Sequence, residues 1–127
     1  MTDPSATLLV VEDEPMLRMI VVETLRDAGY AVLEANDGDA GLKAVQSNAS
    51  IDGLITDIRM PGLNGYQLAE AAIGLRPRLK VLLMTGYTSE PLPKSLADRG
   101  IQVMYKPFDV DQLAQIAGQL LSRDSAL

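Results

Sequence analysis

The sequence predicts an α/β fold in which one parallel sheet carries helices on both faces. Three observations carry that expectation. Short apolar runs alternate with stretches of helical spacing, five times along the chain. The runs are continuously apolar, the mark of strands buried on both faces. The length, 127 residues, makes one ordinary domain with a real core, hiding roughly two-thirds of its unfolded surface. The expected unit is residues 1–127, with its core at about 6–122.

Ala6 to Val11 is the first strand, with paired valines. Pro15 follows Glu12, Asp13 and Glu14 at a first helical position, where its missing N–H costs nothing. Leu17, Ile20, Thr24 and Leu25 recur at helical spacing, and Gly29 ends the helix as a left-handed cap. Tyr30 to Ala35 is the second strand. Asp37-Gly38 is a turn, and Leu42 and Val45 mark a helix to about Asn48. Asp52 to Asp57 is the third strand. The loop Ile58 to Asn64 holds Pro61 and Gly62. Leu68, Ala72 and Leu75 share one face of a third helix, which Pro77 closes. Leu79 to Met84 is a fourth strand, broken by Thr85-Gly86-Tyr87. Glu90-Pro91-Leu92-Pro93 cannot be helix interior, because proline lacks the donor. A short helix from about Pro93 to Arg99 ends at Gly100. Ile101 to Tyr105 is the fifth strand. After Pro107, Leu113, Ile116, Ala117 and Leu120 give a last helix ending near Ser122.

Composition excludes several chemistries. Hydrophobic residues make up 47% and aromatics 4%, so the core is aliphatic. Eleven Lys and Arg against 17 Asp and Glu give a net charge of −6, unsuited to phosphate backbones of nucleic acid. There is no Cys, hence no disulfide, thiolate nucleophile or zinc-thiolate site. There is no His, which removes imidazole bases and most transition-metal sites. No segment approaches the ~18 apolar residues of a membrane span. Met1-Thr2-Asp3-Pro4 lacks the basic region of a secretory signal, so the expected compartment is the cytoplasm.

In open parallel sheets the ligand crevice lies outside the carboxyl ends of the strands. Glu12 and Asp13 sit just past strand one, Asp57 closes strand three, Thr85 closes strand four and Lys106 closes strand five. The second strand delivers only Asn36 and Asp37. Singly, each residue also reads as something plainer. An acid after a strand caps a helix or forms a turn, and Glu12-Asp13-Glu14 complements a helix dipole. Thr85 is also a turn residue and Lys106 a solvated lysine. Their convergence points to chemistry. Three carboxylates without histidine favour a hard divalent cation, most simply Mg²⁺. With a lysine and a hydroxyl they form a phosphoryl clamp, and Asp57 is the natural nucleophile for an aspartyl phosphate.

The chain resembles the receiver domains of two-component response regulators. The resemblance rests on Val10-Val11-Glu12-Asp13-Glu14-Pro15, on Asp57-Ile58-Arg59-Met60-Pro61-Gly62-Leu63-Asn64-Gly65, on Thr85-Gly86 and on Lys106-Pro107-Phe108. It implies a flavodoxin-like doubly wound fold with strand order 2-1-3-4-5. It implies Asp57 as phospho-acceptor. Mg²⁺ ligands would be Asp13, Asp57 and the Arg59 backbone carbonyl, with Glu12 acting through water. Lys106 would bind a phosphoryl oxygen, and Thr85 would move towards it. Gly86 would leave the acyl phosphate open to attack, and Pro107 would aim the lysine after a cis peptide bond. Arg59 and Tyr87 would overhang the pocket mouth and control water access. Where many receivers carry an aromatic switch, this chain has Val103, and Tyr105 shares its side parity. Met84-Thr85-Gly86-Tyr87 resembles a subgroup of stand-alone and kinase-attached receivers.

The implied function is phosphorylation-gated signalling. A histidine kinase or histidine phosphotransfer protein donates to Asp57, and the absence of His requires that donor in trans. The signal is expected to leave through an unidentified protein partner, without direct nucleic-acid contact or membrane insertion, from a monomer or weak homodimer. The chain is expected not to be a turnover enzyme. A Mg²⁺-dependent aspartyl phosphatase is disfavoured, because Arg59 stands where such enzymes need an acid and no cap holds a substrate. A phosphorylation-independent binding module is the other alternative, and the intact acidic and basic set argues against it.

Overall fold

The computed structural model describes residues 6–47, 50–86, 92–99 and 101–122. Five strands alternate with five helices: β1 (Thr7–Val11), α1 (Pro15–Asp27), β2 (Ala31–Ala35), α2 (Gly38–Ser47), β3 (Gly53–Asp57), α3 (Gly65–Leu75), β4 (Lys80–Thr85), α4 (Lys94–Ala97), β5 (Gln102–Tyr105) and α5 (Val110–Ser122). The strands form one sheet in the order β2-β1-β3-β4-β5, and every pair is parallel. This is the expected flavodoxin-like doubly wound fold. Asn48, Tyr87, Glu90, Pro91 and Gly100, all named in the sequence reading, lie outside the described residues.

The continuous apolar runs split by parity. Leu9, Val11, Leu54, Val81 and Leu83 face one side and pack with Val45 of α2, Leu68, Ala72 and Ile73 of α3, and Leu96 of α4. Leu8, Val10, Ile55, Leu82 and Met84 face the other and pack with Val21, Val22 and Leu25 of α1 and Leu113, Ala117 and Leu120 of α5. Side chains alternate across a strand, so two covered faces demand apolar residues at every position. Each fully buried leucine contributes roughly 1.5–3 kcal/mol. β3 lies between β1 and β4 and is buried along its whole length, so Asp57 ends the best-covered strand.

The structure departs from the sequence expectations in four places. Ile20 is 43% exposed, and Val21, Val22 and Leu25 form the buried face of α1 instead. The run Met19-Ile20-Val21-Val22 is apolar all round, so spacing alone could not choose the face. Leu75, the last residue of α3, is also exposed, at 44%. α2 starts at Gly38 where a turn was expected: Ala40 N donates to Asp37 Oδ1 (2.7 Å), and Asp37 opens the helix. α4 is four residues long, shorter than the expected Pro93 to Arg99, and Pro93 at its N-cap makes no side-chain hydrogen bond. Gly29 has the expected left-handed φ, 103°.

Gly65 is required by close approach. Its N–H donates to Ile58 O (2.8 Å), drawing α3 onto the end of β3. A Cβ there would overlap the Asp57 carbonyl oxygen and lie 2.7 Å from Ile58 Cα. Gly65→Ala is therefore expected to lower stability by about 1–3 kcal/mol in urea unfolding, because backbone must shift. Gly74→Ala in the same helix is the control. A Cβ there meets nothing within 4 Å, and the exchange should be neutral or stabilising by up to ~1 kcal/mol.

Candidate phosphoryl and cation site

The residues of interest sit at the strand ends, Asp57 and Thr85 as last strand residues and Glu12 and Lys106 one step beyond, where the backbone ladder still holds them. Glu12 N donates to Ala35 O (3.2 Å), Ile58 N to Met84 O (3.0 Å) and Lys106 N to Thr85 O (2.8 Å). These bonds carry β1, β3 and β5 to a common edge. The Lys106–Pro107 peptide bond is cis, as the resemblance implied.

At that edge Lys106 Nζ lies 3.2 Å from Asp57 Oδ2 and 3.2 Å from Glu12 Oε1. Oxygens of Glu12, Asp13 and Asp57 all lie within 4.8 Å of one another. Glu12 is fully buried, Asp57 is 7% exposed and Asp13 faces solvent. The acidic triplet divides its labour. Glu14 caps α1, accepting from Met16 N (3.1 Å) and Leu17 N (2.8 Å), so the helix-capping reading holds for it. Glu12 and Asp13 join the pocket, and Glu12 Oε2 also accepts from Glu14 N (3.1 Å).

Burial pushes the Glu12 carboxyl up to about 7, against the hydrogen bond from Glu14 N; the Asp57 charge adds to the rise and Lys106 opposes it. Burial pulls Lys106 down, but the Asp57 and Glu12 carboxylates outweigh it and hold the ammonium above its ordinary value. Three carboxyl groups thus face one ammonium. An all-oxygen set of this kind fits a hard divalent cation, which would take up the excess negative charge.

The other expected residues fall around this centre. Thr85 is buried, 4% exposed, at the end of β4. Gly86 is exposed, and a Cβ there would meet nothing within 4 Å, so the space beside it is open. Arg59 is exposed on the β3–α3 loop, and Tyr87 lies outside the described residues. Val103 packs into the core on the α3 side. Tyr105 is 56% exposed and pairs in register with Thr85, while Pro107 is exposed. The sequence reading missed Arg18. Its Nη1 donates to Glu12 O (2.8 Å) from six residues away, and no spacing rule marks a helix side chain that turns back onto the preceding loop.

The raised Glu12 carboxyl sets a pH dependence. Between its ordinary 4.5 and about 7 the folded chain holds a proton that the unfolded chain has lost. Stability of the metal-free protein therefore falls as pH rises through that window, by at most about 1.4 kcal/mol per pH unit from this group. Urea unfolding of the parent and Glu12→Gln at a series of pH values should show this component in the parent alone. Equal slopes would overturn it.

Comparison with known proteins agrees with this geometry. The family profile described as "Response regulator receiver domain" matches residues 8–117. The response regulator receiver protein CpdR of Brucella abortus is 33% identical over 115 residues, covering 90% of this chain and 95% of CpdR. The sensor kinase CckA of the same organism is 32% identical over 121 residues, which is 94% of this chain but 13% of the kinase. Among solved structures, the receiver domain of the hybrid histidine kinase CckA superposes with a TM-score of 0.79 at 35% identity, covering 92% of this chain and all (100%) of that one. The response regulator TrrA of Thermotoga maritima, in complex with Mg²⁺ and BeF, superposes at 0.81 with 31% identity, covering 91% and 99% of the two chains. No helix among the described residues is long and apolar enough to cross a membrane. By family match, fold and the acidic pocket beside Lys106, this chain belongs to the response regulator receiver domains, the phospho-accepting modules of two-component signalling.

Proposed function

We propose that Asp57 takes a phosphoryl group from the phosphohistidine of a partner histidine kinase or phosphotransfer protein, with Mg²⁺ bound beside it. The observation that carries this reading is the convergence at the sheet edge: Lys106 Nζ 3.2 Å from both Asp57 and Glu12, with three carboxyls within 4.8 Å. Receiver domains in general accept phosphoryl groups and are not turnover enzymes. We extend that to this chain, which would perform its own phosphotransfer and dephosphorylation only.

In the transfer, an Asp57 carboxylate oxygen attacks phosphorus, the P–O bond forms, the P–N bond to the imidazole breaks, and the ring nitrogen keeps the electron pair. Lys106 stays protonated and offers its charge to the phosphoryl oxygens. The Thr85 hydroxyl would donate to the same group. Asp13, Asp57 and the Arg59 carbonyl would hold Mg²⁺, with Glu12 acting through water; the cation supplies countercharge to the phosphoryl oxygens. The open space beside Gly86 supports attack by water, and Arg59 and Tyr87 would govern its access. Phosphorylation then shifts a two-state surface. We assign that switch to the region of Val103, Tyr105 and Pro107, where Tyr105 stands opposite Thr85 in register. The output partner is a protein, the chain acts as a monomer or weak homodimer in the cytoplasm, and residues 1–127 form one receiver unit. It would act either as a stand-alone regulator, as the coverage of CpdR supports, or as part of a hybrid kinase, as the CckA match supports.

Intact mass after incubation with a small phosphodonor and Mg²⁺ tests the reading. One added phosphoryl group is expected, absent from Asp57→Asn and from the parent in EDTA. No addition to folded parent would overturn it in favour of phosphorylation-independent binding. Lys106→Ala should slow phosphorylation by about two orders of magnitude, as loss of one charge-stabilising donor does.

A further inference from the structure

We propose that Arg18 is a positioning residue for the cation end of this pocket and that Glu34 on β2 is its anchor; the inference rests on the Mg²⁺ reading above. Asp13 is the exposed member of the carboxylate cluster, so the backbone that delivers it governs where its carboxylate stands. That backbone is held at the preceding peptide. The Glu12 N–H donates to Ala35 O (3.2 Å), and the Glu12 carbonyl accepts from Arg18 Nη1 (2.8 Å). A peptide unit is planar, so its carbonyl oxygen, the Asp13 nitrogen and the Asp13 Cα share one plane. Fixing the oxygen fixes the direction in which the chain enters Asp13.

Arg18 can do this because its own orientation is set. It stands one turn into α1, and its Nε lies 3.4 Å from Glu34 Oε1. The guanidinium is a rigid planar fork, so a carboxylate on one edge aims the other edge. Glu34 is steadied in turn by Arg26, whose Nη2 lies 3.9 Å from Glu34 Oε2 and donates to Val32 O (3.0 Å). The Arg18 side chain is 21% exposed, so its guanidinium is largely sheltered, while Glu34, at 43%, reaches it from the exposed side of β2. The pairing also spends the Arg18 charge on β2, outside the acidic pocket. β2 places no reactive group at the site, yet through Glu34 and Arg18 it determines how the β1–α1 loop presents Asp13.

The test is Mg²⁺ titration of the full chain by calorimetry, with the metal-free melting temperature measured beside it, for the parent, Arg18→Met, Arg18→Lys and Glu34→Gln. Arg18→Met should weaken Mg²⁺ binding about tenfold, the scale for groups that orient metal ligands. Glu34→Gln should weaken it less, in the same direction. Arg18→Lys should restore part of the loss, since an ammonium cannot serve both partners as the fork does. A merely structural staple would lower the melting temperature and leave the affinity of the folded protein within about twofold of the parent, and that result overturns the proposal. Should Arg18→Met fail to fold, unchanged affinity in Glu34→Gln overturns it equally. A parent that binds no Mg²⁺ defeats the metal reading itself and this inference with it.

Discussion

The Lys106 ammonium lies 3.2 Å from Asp57 Oδ2 and 3.2 Å from Glu12 Oε1, and so ties β5 to β3 and β1 at one edge of the sheet. Much of the local structure answers to that contact. Three carboxyls within 4.8 Å repel one another, and the fold places two of them out of water, which raises the cost. One lysine cannot neutralise three acids. The fold manages the remainder by letting Glu12 hold a proton near neutrality and by leaving Asp13 in solvent. What remains is excess negative charge, which fits a hard divalent cation at this edge.

The aliphatic core makes such an edge tolerable. β3 is buried over its whole length, flanked by β1 and β4, with helices packed on both faces. Its end is therefore fixed more firmly than that of either edge strand. Gly65 adds a second constraint, since α3 starts against the backbone of Asp57 and Ile58 with no room for a Cβ. The pocket thus sits on rigid elements, and its mouth is formed by loops.

The β1–α1 loop illustrates how short-range and long-range interactions share one segment. Glu14 acts locally, capping the helix that follows. Glu12 acts across the sheet, through Lys106 and Ala35. Between them, the course of the chain into Asp13 is set by Arg18, held by Glu34 on an edge strand that otherwise stays away from the chemistry. Three adjacent acids thus have three environments, two of which come from residues far along the chain.

The sequence by itself determined the element order, the parallel sheet covered on both faces and the set of polar residues at its carboxyl edge. Those properties are local: continuous apolar runs, Pro15 at a helix start, Gly29 with its left-handed φ, and acids or Lys106 at or just after strand ends. The tertiary structure alone decided which face of α1 is buried, because a stretch apolar all round leaves the choice to packing, and Ile20 lost it to Val21 and Val22. The structure chose among the local readings as well, with Asp37 starting a helix and Glu14 capping one, and tertiary packing alone decided that Gly65 meets Asp57. It alone joined Arg18 to the Glu12 carbonyl and Glu34. Hydrogen bonds and charge pairs between separate elements are short-ranged in space but leave no periodicity in sequence, so they become legible only once the chain has folded.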